Sequence, residues 1–212
     1  MNLPNKISIF RICCMPVMVA LFLAPIPKGI GLFLAFAVYV IGSFSDTADG
    51  IIARKYNLIT DFGKFIDQIA DKILSTSALI LMLFSWVIPW TWVSVLVVTI
   101  IVSRDIIISG VRQVAASKGM VIAADKIGKL KSVVLDTGVG VLMFYVALCA
   151  VLKKGPKTIF AGNTTIEFIS YIGIALVLLG TVLALVSCVN YIIKAAPVIK
   201  ENKEDEKNSE NV

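Results

Sequence analysis

Six apolar runs, separated by short polar or proline-marked stretches, set the rhythm of the chain. None alternates with the two-residue period of a strand, and each is long enough for a helix that keeps its backbone hydrogen bonds to itself. The first run covers about residues 9–24, with Pro16 as the place for a kink and Pro25 and Pro27 as the turn. The second starts near Gly29 and enters an acidic stretch at Asp46 without meeting a helix breaker. The third runs from Gly63 or Lys64 to about Ile88, and the fourth from Trp90 to about Ser117. The fifth runs from Asp125 to Leu152, and the sixth from Thr165 to Ile193. Residues 1–8 (MNLPNKIS) read as an interfacial lead-in, and residues 195–212 as a charged, disordered tail. The expected fold is therefore an all-α membrane protein: six transmembrane helices in one domain, residues 9–194.

Composition agrees. Of 212 residues 58% are hydrophobic, more than a soluble domain of this size could bury. The net charge of +6 is not the basic patch of a nucleic-acid binder, because the cations sit beside apolar segments, where they suit anionic lipid headgroups. With six spans and the N-terminus inside, all of the 20 Lys and Arg except Lys28, Lys153, Lys154 and Lys157 fall on the inner side. That asymmetry predicts two cytoplasmic termini, with Trp86, Trp90 and Trp92 in the outer aromatic belt. Cys13, Cys14, Cys149 and Cys188 lie in apolar runs without metal-ligand spacing and read as small hydrophobes.

The chemistry concentrates between Asp46 and Lys72, DTADGIIARKYNLITDFGKFIDQIADK. Asp46 and Asp49 are three residues apart and Asp67 and Asp71 four, so each pair shares one face of its own helix. Gly50, Ala53 and Gly63 keep the surface beside the acids bare, which leaves room for a bulky polyphosphate. Hard divalent cations, Mg²⁺ or Mn²⁺, prefer oxygen donors, and the chain has no histidine to offer instead. The plainer alternative makes the four acids helix caps or salt-bridge partners at a membrane edge.

A depth argument favours a site. A helix needs about 20 residues to cross the hydrocarbon. Counted from the outer turns, Asp46, Asp71, Arg104 and Lys131 reach nearly the same level, at or just inside the inner boundary. Ionisable groups there are costly unless paired, hydrated or liganded. The expectation is a polar cavity open to the cytoplasmic side and sideways to the inner leaflet, where a lipid substrate can enter. A second cluster supplies cations. Arg104 and Arg112 lie at helical spacing and suit phosphate oxygens, and Lys129 and Lys131 add point charge. Asp105 and Asp136 are expected to pair with neighbouring cations. A cation-coupled transporter would also use intramembrane acids, but it predicts them throughout the depth, and the outer halves of these helices have almost none.

The acidic stretch resembles the signature of the CDP-alcohol phosphatidyltransferases, Asp-x-x-Asp-Gly-x-x-Ala-Arg, eight residues, then Gly-x-x-x-Asp-x-x-x-Asp. Asp46, Asp49, Gly50, Ala53, Arg54, Gly63, Asp67 and Asp71 fill it without a gap. Over roughly residues 2–135 the resemblance narrows to the bacterial phosphatidylglycerophosphate synthase branch. It rests there on LPNKISIFR, DQIADK, RDIIISGVR and GKLKS. Ser8 and Ser132 replace threonine, Asp105 replaces glutamate, and Gln68 replaces proline, with no catalytic group lost.

The resemblance implies transfer of a phosphatidyl group from CDP-diacylglycerol to glycerol 3-phosphate in a bacterial cytoplasmic membrane, by a homodimer among membrane lipids and without nucleic acid. It implies two divalent ions on Asp46, Asp49, Asp67 and Asp71, with Asp71 also the base. Asn5, Asp49, Gly50, Ala53, Arg54 and Gly63 would bind CDP-diacylglycerol, with Arg11 a further candidate beside Asn5. Arg104, Arg112, Lys129 and Lys131 would hold the acceptor phosphate. Other acceptors of the same chemistry, inositol phosphate or phosphatidylglycerol, stay open at this point.

Overall fold

A computed structural model describes residues 3–24, 26–55, 61–85, 91–117, 126–152 and 165–209. Within these, the side chains of 3–4, 28, 46–55, 61–62, 64–65, 68, 83–84, 91, 114, 116–117, 126, 165–166 and 194–209 lie outside the description. Among the described residues six helices follow one another: α1 (Leu3–Leu23), α2 (Lys28–Lys55), α3 (Asp61–Phe84), α4 (Thr91–Ser117), α5 (Lys126–Val151) and α6 (Thr165–Ser209). The described residues are all helix or short turn.

Among the described residues four stretches are long and apolar enough to cross a membrane: Asn5–Leu23, Trp92–Gln113, Ile127–Val151 and Glu167–Ile193. The apolar part of α2, Gly29–Ser45, is shorter, and α3 carries too much charge at its start to count by composition. The chain is thus an all-α, multi-pass membrane protein. Exposed side chains such as Phe168, Val182, Val189 and Ile193 belong against lipid tails rather than water.

α1 starts at Leu3, so the stretch read as a lead-in is continuous with the first span. Pro16, the expected place for a kink, lies inside α1 with its ring on an exposed face, where the helix tolerates the missing donor. The charged tail, read as disordered, continues α6 as far as Ser209. It is rich in Lys and Glu, which favour helix, and an established helix extends more cheaply than a new one nucleates.

Packing follows from small residues. α5 and α6 make the most extensive contact, followed by α1 against α2, then α1 against α3 and α2 against α5. Among the described residues α2 and α3 touch little, although they carry the two acid pairs; α1 packs on both. The apolar core joins Met18 of α1, Ala35 of α2, Met82 of α3, Val97 of α4, Leu142 of α5 and Val177 of α6. Close helix approach in a membrane depends on small side chains. At Gly138 an added Cβ would lie 2.9 Å from both Leu176 Cβ and the backbone nitrogen of Val177. Gly138→Ala is therefore expected to push α5 off α6, at a cost of about 1–3 kcal/mol. Thermal unfolding in detergent checks this; an unchanged midpoint would show that the seam is loose.

Candidate functional site

Charge in this bundle collects at one end, where polar side chains of five helices converge. A cavity of about 1320 Å³ lies between α2, α3, α4, α5 and α6. Its polar lining includes Asp67, Asp71, Arg104, Arg112, Lys129 and Asp136. Phe36, Phe44, Val133, Phe144 and Ile172 supply an apolar flank, and Phe44 and Val133 are well exposed. One cavity thus offers carboxylates, guanidinium groups and a greasy side wall. This combination suits a ligand with an anionic head and an acyl tail.

Asp67 and Asp71 stand one helical turn apart on α3 and both line the cavity, as their spacing predicts. Arg11 of α1, with a side chain only 1% exposed, donates from one terminal nitrogen to Asp67 Oδ1 at 3.1 Å. Ser8 Oγ approaches the same oxygen at 3.5 Å. A buried arginine beside a carboxylate that is 44% exposed orients that carboxylate from behind. The contact links positions 56 residues apart, so no local spacing announces it. Asn5, one turn before Ser8, is buried, and its Oδ1 has no hydrogen-bond partner among the described residues. Gly63 is half-buried on the first turns of α3. Asp46, Asp49, Gly50, Ala53 and Arg54 belong to the last turns of α2, but their side chains lie outside the described residues. Among the described residues no group of three acidic, cysteine or histidine side chains gathers.

The cations divide into two sets. Arg104, Arg112 and Lys129 line the large cavity. The Nε of Arg112 is buried there without a hydrogen-bond partner among the described residues, as is the hydroxyl of Tyr191. Lys131 instead lines a smaller chamber of about 30 Å³ behind Asp71, with Lys72, Ser75, Asp105 and Asp136. Lys131 Nζ donates to Asp105 Oδ1 at 2.8 Å, and Arg104 donates to the same oxygen at 2.8 Å. The expected pairing of Asp105 with cations is met twice over. Asp136 accepts from Ser75 Oγ at 2.8 Å, while its backbone carbonyl accepts from the buried Tyr39 hydroxyl at 3.0 Å. These contacts fix α5 against α2 and α3 at the level of Asp71. All four cysteines are free, in keeping with their reading as small hydrophobes.

α6 contributes more than its sequence suggested. Ser187 Oγ accepts from the second terminal nitrogen of Arg104 at 2.7 Å. Gly128 of α5 makes room for this contact, since a Cβ there would lie 3.3 Å from Ser187 Oγ and 3.5 Å from the arginine. The available signal was Ser187 and Tyr191, four residues apart and so on one face of a mostly apolar span.

Comparison with known proteins adds independent ground. The sequence profile of CDP-alcohol phosphatidyltransferase matches residues 1–189. A Bacillus subtilis protein named CDP-diacylglycerol–glycerol-3-phosphate 3-phosphatidyltransferase is 40% identical over 141 residues, covering 62% of this chain and 70% of the relative. A protein of the same name from Shigella flexneri is 32% identical over 199 residues, 92% of this chain and 94% of the relative. A Mycobacterium tuberculosis protein named as a probable phosphatidylglycerophosphate synthase is 33% identical over 179 residues, 82% of each chain. A profile match over nearly the whole membrane domain, joined to the acids and cations that meet in one cavity, places this chain in the CDP-alcohol phosphatidyltransferase family.

Proposed function

We propose that this protein transfers the phosphatidyl group of CDP-diacylglycerol to glycerol 3-phosphate, giving phosphatidylglycerol phosphate and CMP. The observation that carries this is the shared cavity, with Asp67 and Asp71 on one wall and Arg104, Arg112 and Lys129 on another. The names of the relatives, which specify these two substrates, point the same way.

The donor set suits two divalent ions. Two carboxylates one turn apart offer hard oxygen donors, and Arg11 occupies only Oδ1 of Asp67. Asp46 and Asp49 would complete the set from α2, and Mg²⁺ or Mn²⁺ fits that chemistry. Such ions, when bound, stabilise negative charge on the transferring phosphoryl group and on the departing nucleotide. The chain's own residues do the rest. Asp71 takes the proton of the attacking hydroxyl. Arg112 and Lys129, with Arg104, hold the acceptor phosphate. Gly50, Ala53 and Gly63 leave space for the nucleotide, with Arg54 and Asn5 on its polar groups. The apolar flank of Phe36, Val133 and Phe144 accepts the acyl chains.

In the same reading all six helices cross the bilayer as one domain, with both ends and the charged mouth of the cavity on the cytoplasmic side. The bias of the basic residues supports that orientation. A homodimer belongs to this reading by family resemblance.

The deciding experiment is an acceptor screen on purified protein with CDP-diacylglycerol, following CMP release and the mass of the lipid product. Glycerol 3-phosphate is expected to be the preferred acceptor. Preference for inositol phosphate or phosphatidylglycerol would keep the chemistry and overturn the acceptor.

A further inference from the structure

One residue outside the large cavity, Asp105, gathers cations from three helices, two on its carboxylate and one on its backbone carbonyl. Asp105 on α4 is 19% exposed, and its Oδ1 accepts both Arg104 of α4 and Lys131 of α5, each at 2.8 Å. Its backbone carbonyl accepts Lys72 Nζ from α3 at 3.2 Å and Ser109 Oγ at 2.7 Å, and Lys72 also donates to Ser109. Arg104 extends the network to α6 through Ser187. The network centred on this residue therefore links four helices.

The arrangement has a front and a back. Arg104 faces the large cavity, whereas Asp105 does not line it. Asp105 faces the small chamber, beside Lys131 and within the same lining as Asp71. A ligand in the large cavity meets Arg104, with the acid standing behind the cation. Lys131 is 4% exposed and Arg104 12% exposed, so both charges have little direct contact with water. Two such cations repel each other strongly where the dielectric is low. A shared anion removes that repulsion and fixes both side chains, and a charge already held in place loses less freedom when a ligand arrives.

We infer that Asp105 is a positioning residue for recognition of the acceptor phosphate, holding Arg104 in the geometry that the phosphate meets, with Lys131 behind it as the second cation on the same oxygen. This rests on the acceptor reading above. It differs from a purely structural tie, which would hold the helices together without favouring one substrate over the other.

The test separates the two. Asp105→Asn keeps the shape and removes the charge. It is expected to raise the KM for glycerol 3-phosphate by about tenfold, the scale of one charge-assisted hydrogen bond. The KM for CDP-diacylglycerol should stay within about twofold, and Asp105→Glu should recover most of the loss. An unchanged or lowered acceptor KM overturns the inference. So does a loss of thermal stability with both KM values intact. Should Asp105→Asn fail to fold, Asp105→Asn with Lys131→Met removes charge and counter-charge together. That pair is again expected to raise the acceptor KM, and a normal value overturns the inference. If the unmutated protein releases no CMP with glycerol 3-phosphate, the acceptor reading falls and takes this role with it. Normal turnover with an indifferent Asp105→Asn removes the role alone.

Discussion

Asp71→Asn is expected to lower CMP release by about a thousandfold or more while the protein still folds in detergent. The general-base step alone accounts for about 10²–10⁴. The same substitution weakens a cation site that needs the full carboxylate charge, so the loss falls toward the upper end. Asn matches Asp in size, and the half-buried position on α3 does not force a packing change. Single-turnover CMP release beside a thermal unfolding curve makes the comparison. Turnover near the unmutated rate would remove Asp71 from the mechanism.

Arg112→Ala should act on one substrate. Arg112 lines the cavity through α4, and its buried Nε has no hydrogen-bond partner among the described residues. A guanidinium left unsatisfied at a cavity wall is suited to a phosphate, which offers oxygens in matching geometry. Losing it is expected to raise the KM for glycerol 3-phosphate by about 10- to 100-fold, from the usual strength of a charge-assisted hydrogen bond. The KM for CDP-diacylglycerol should move much less. Equal effects on both would place Arg112 at a shared point, such as the nucleotide phosphates, instead of the acceptor pocket.

The sequence made the α3 acids legible for a physical reason. Charge is so costly inside an apolar chain that pairs such as Asp67 and Asp71 stand out at once, and their spacing fixes a common helix face. Arg104 and Arg112 were readable on the same ground, and both reach the cavity. Partner choice was not readable. Lys129 and Lys131 look equivalent in GKLKS, yet residues two apart on a helix point in different directions. Lys129 faces the cavity, while Lys131 turns to Asp105. Arg11 drew only a secondary reading because its partner Asp67 is brought to it by tertiary packing. Ser187 and Tyr191 were overlooked because hydroxyls in a membrane helix usually satisfy a neighbouring carbonyl, as Thr181 does here with Val177. The junction of lead-in and first span was missed because polar residues do not stop a helix unless they also cap it. The α2 acids, Asp46 and Asp49, stand on the sequence and on the family alone.

The scant contact between α2 and α3, with α1 lodged against both, makes the first helix the spacer that sets how wide the acid-bearing jaws stand. Met18, fully buried in the apolar core on that helix, touches no substrate in this scheme but belongs to the packing that holds the wedge. Bite width in such an enzyme is thus a property of a helix that brings no acid to the jaws, and trimming the wedge would retune the grip while leaving every carboxylate in place.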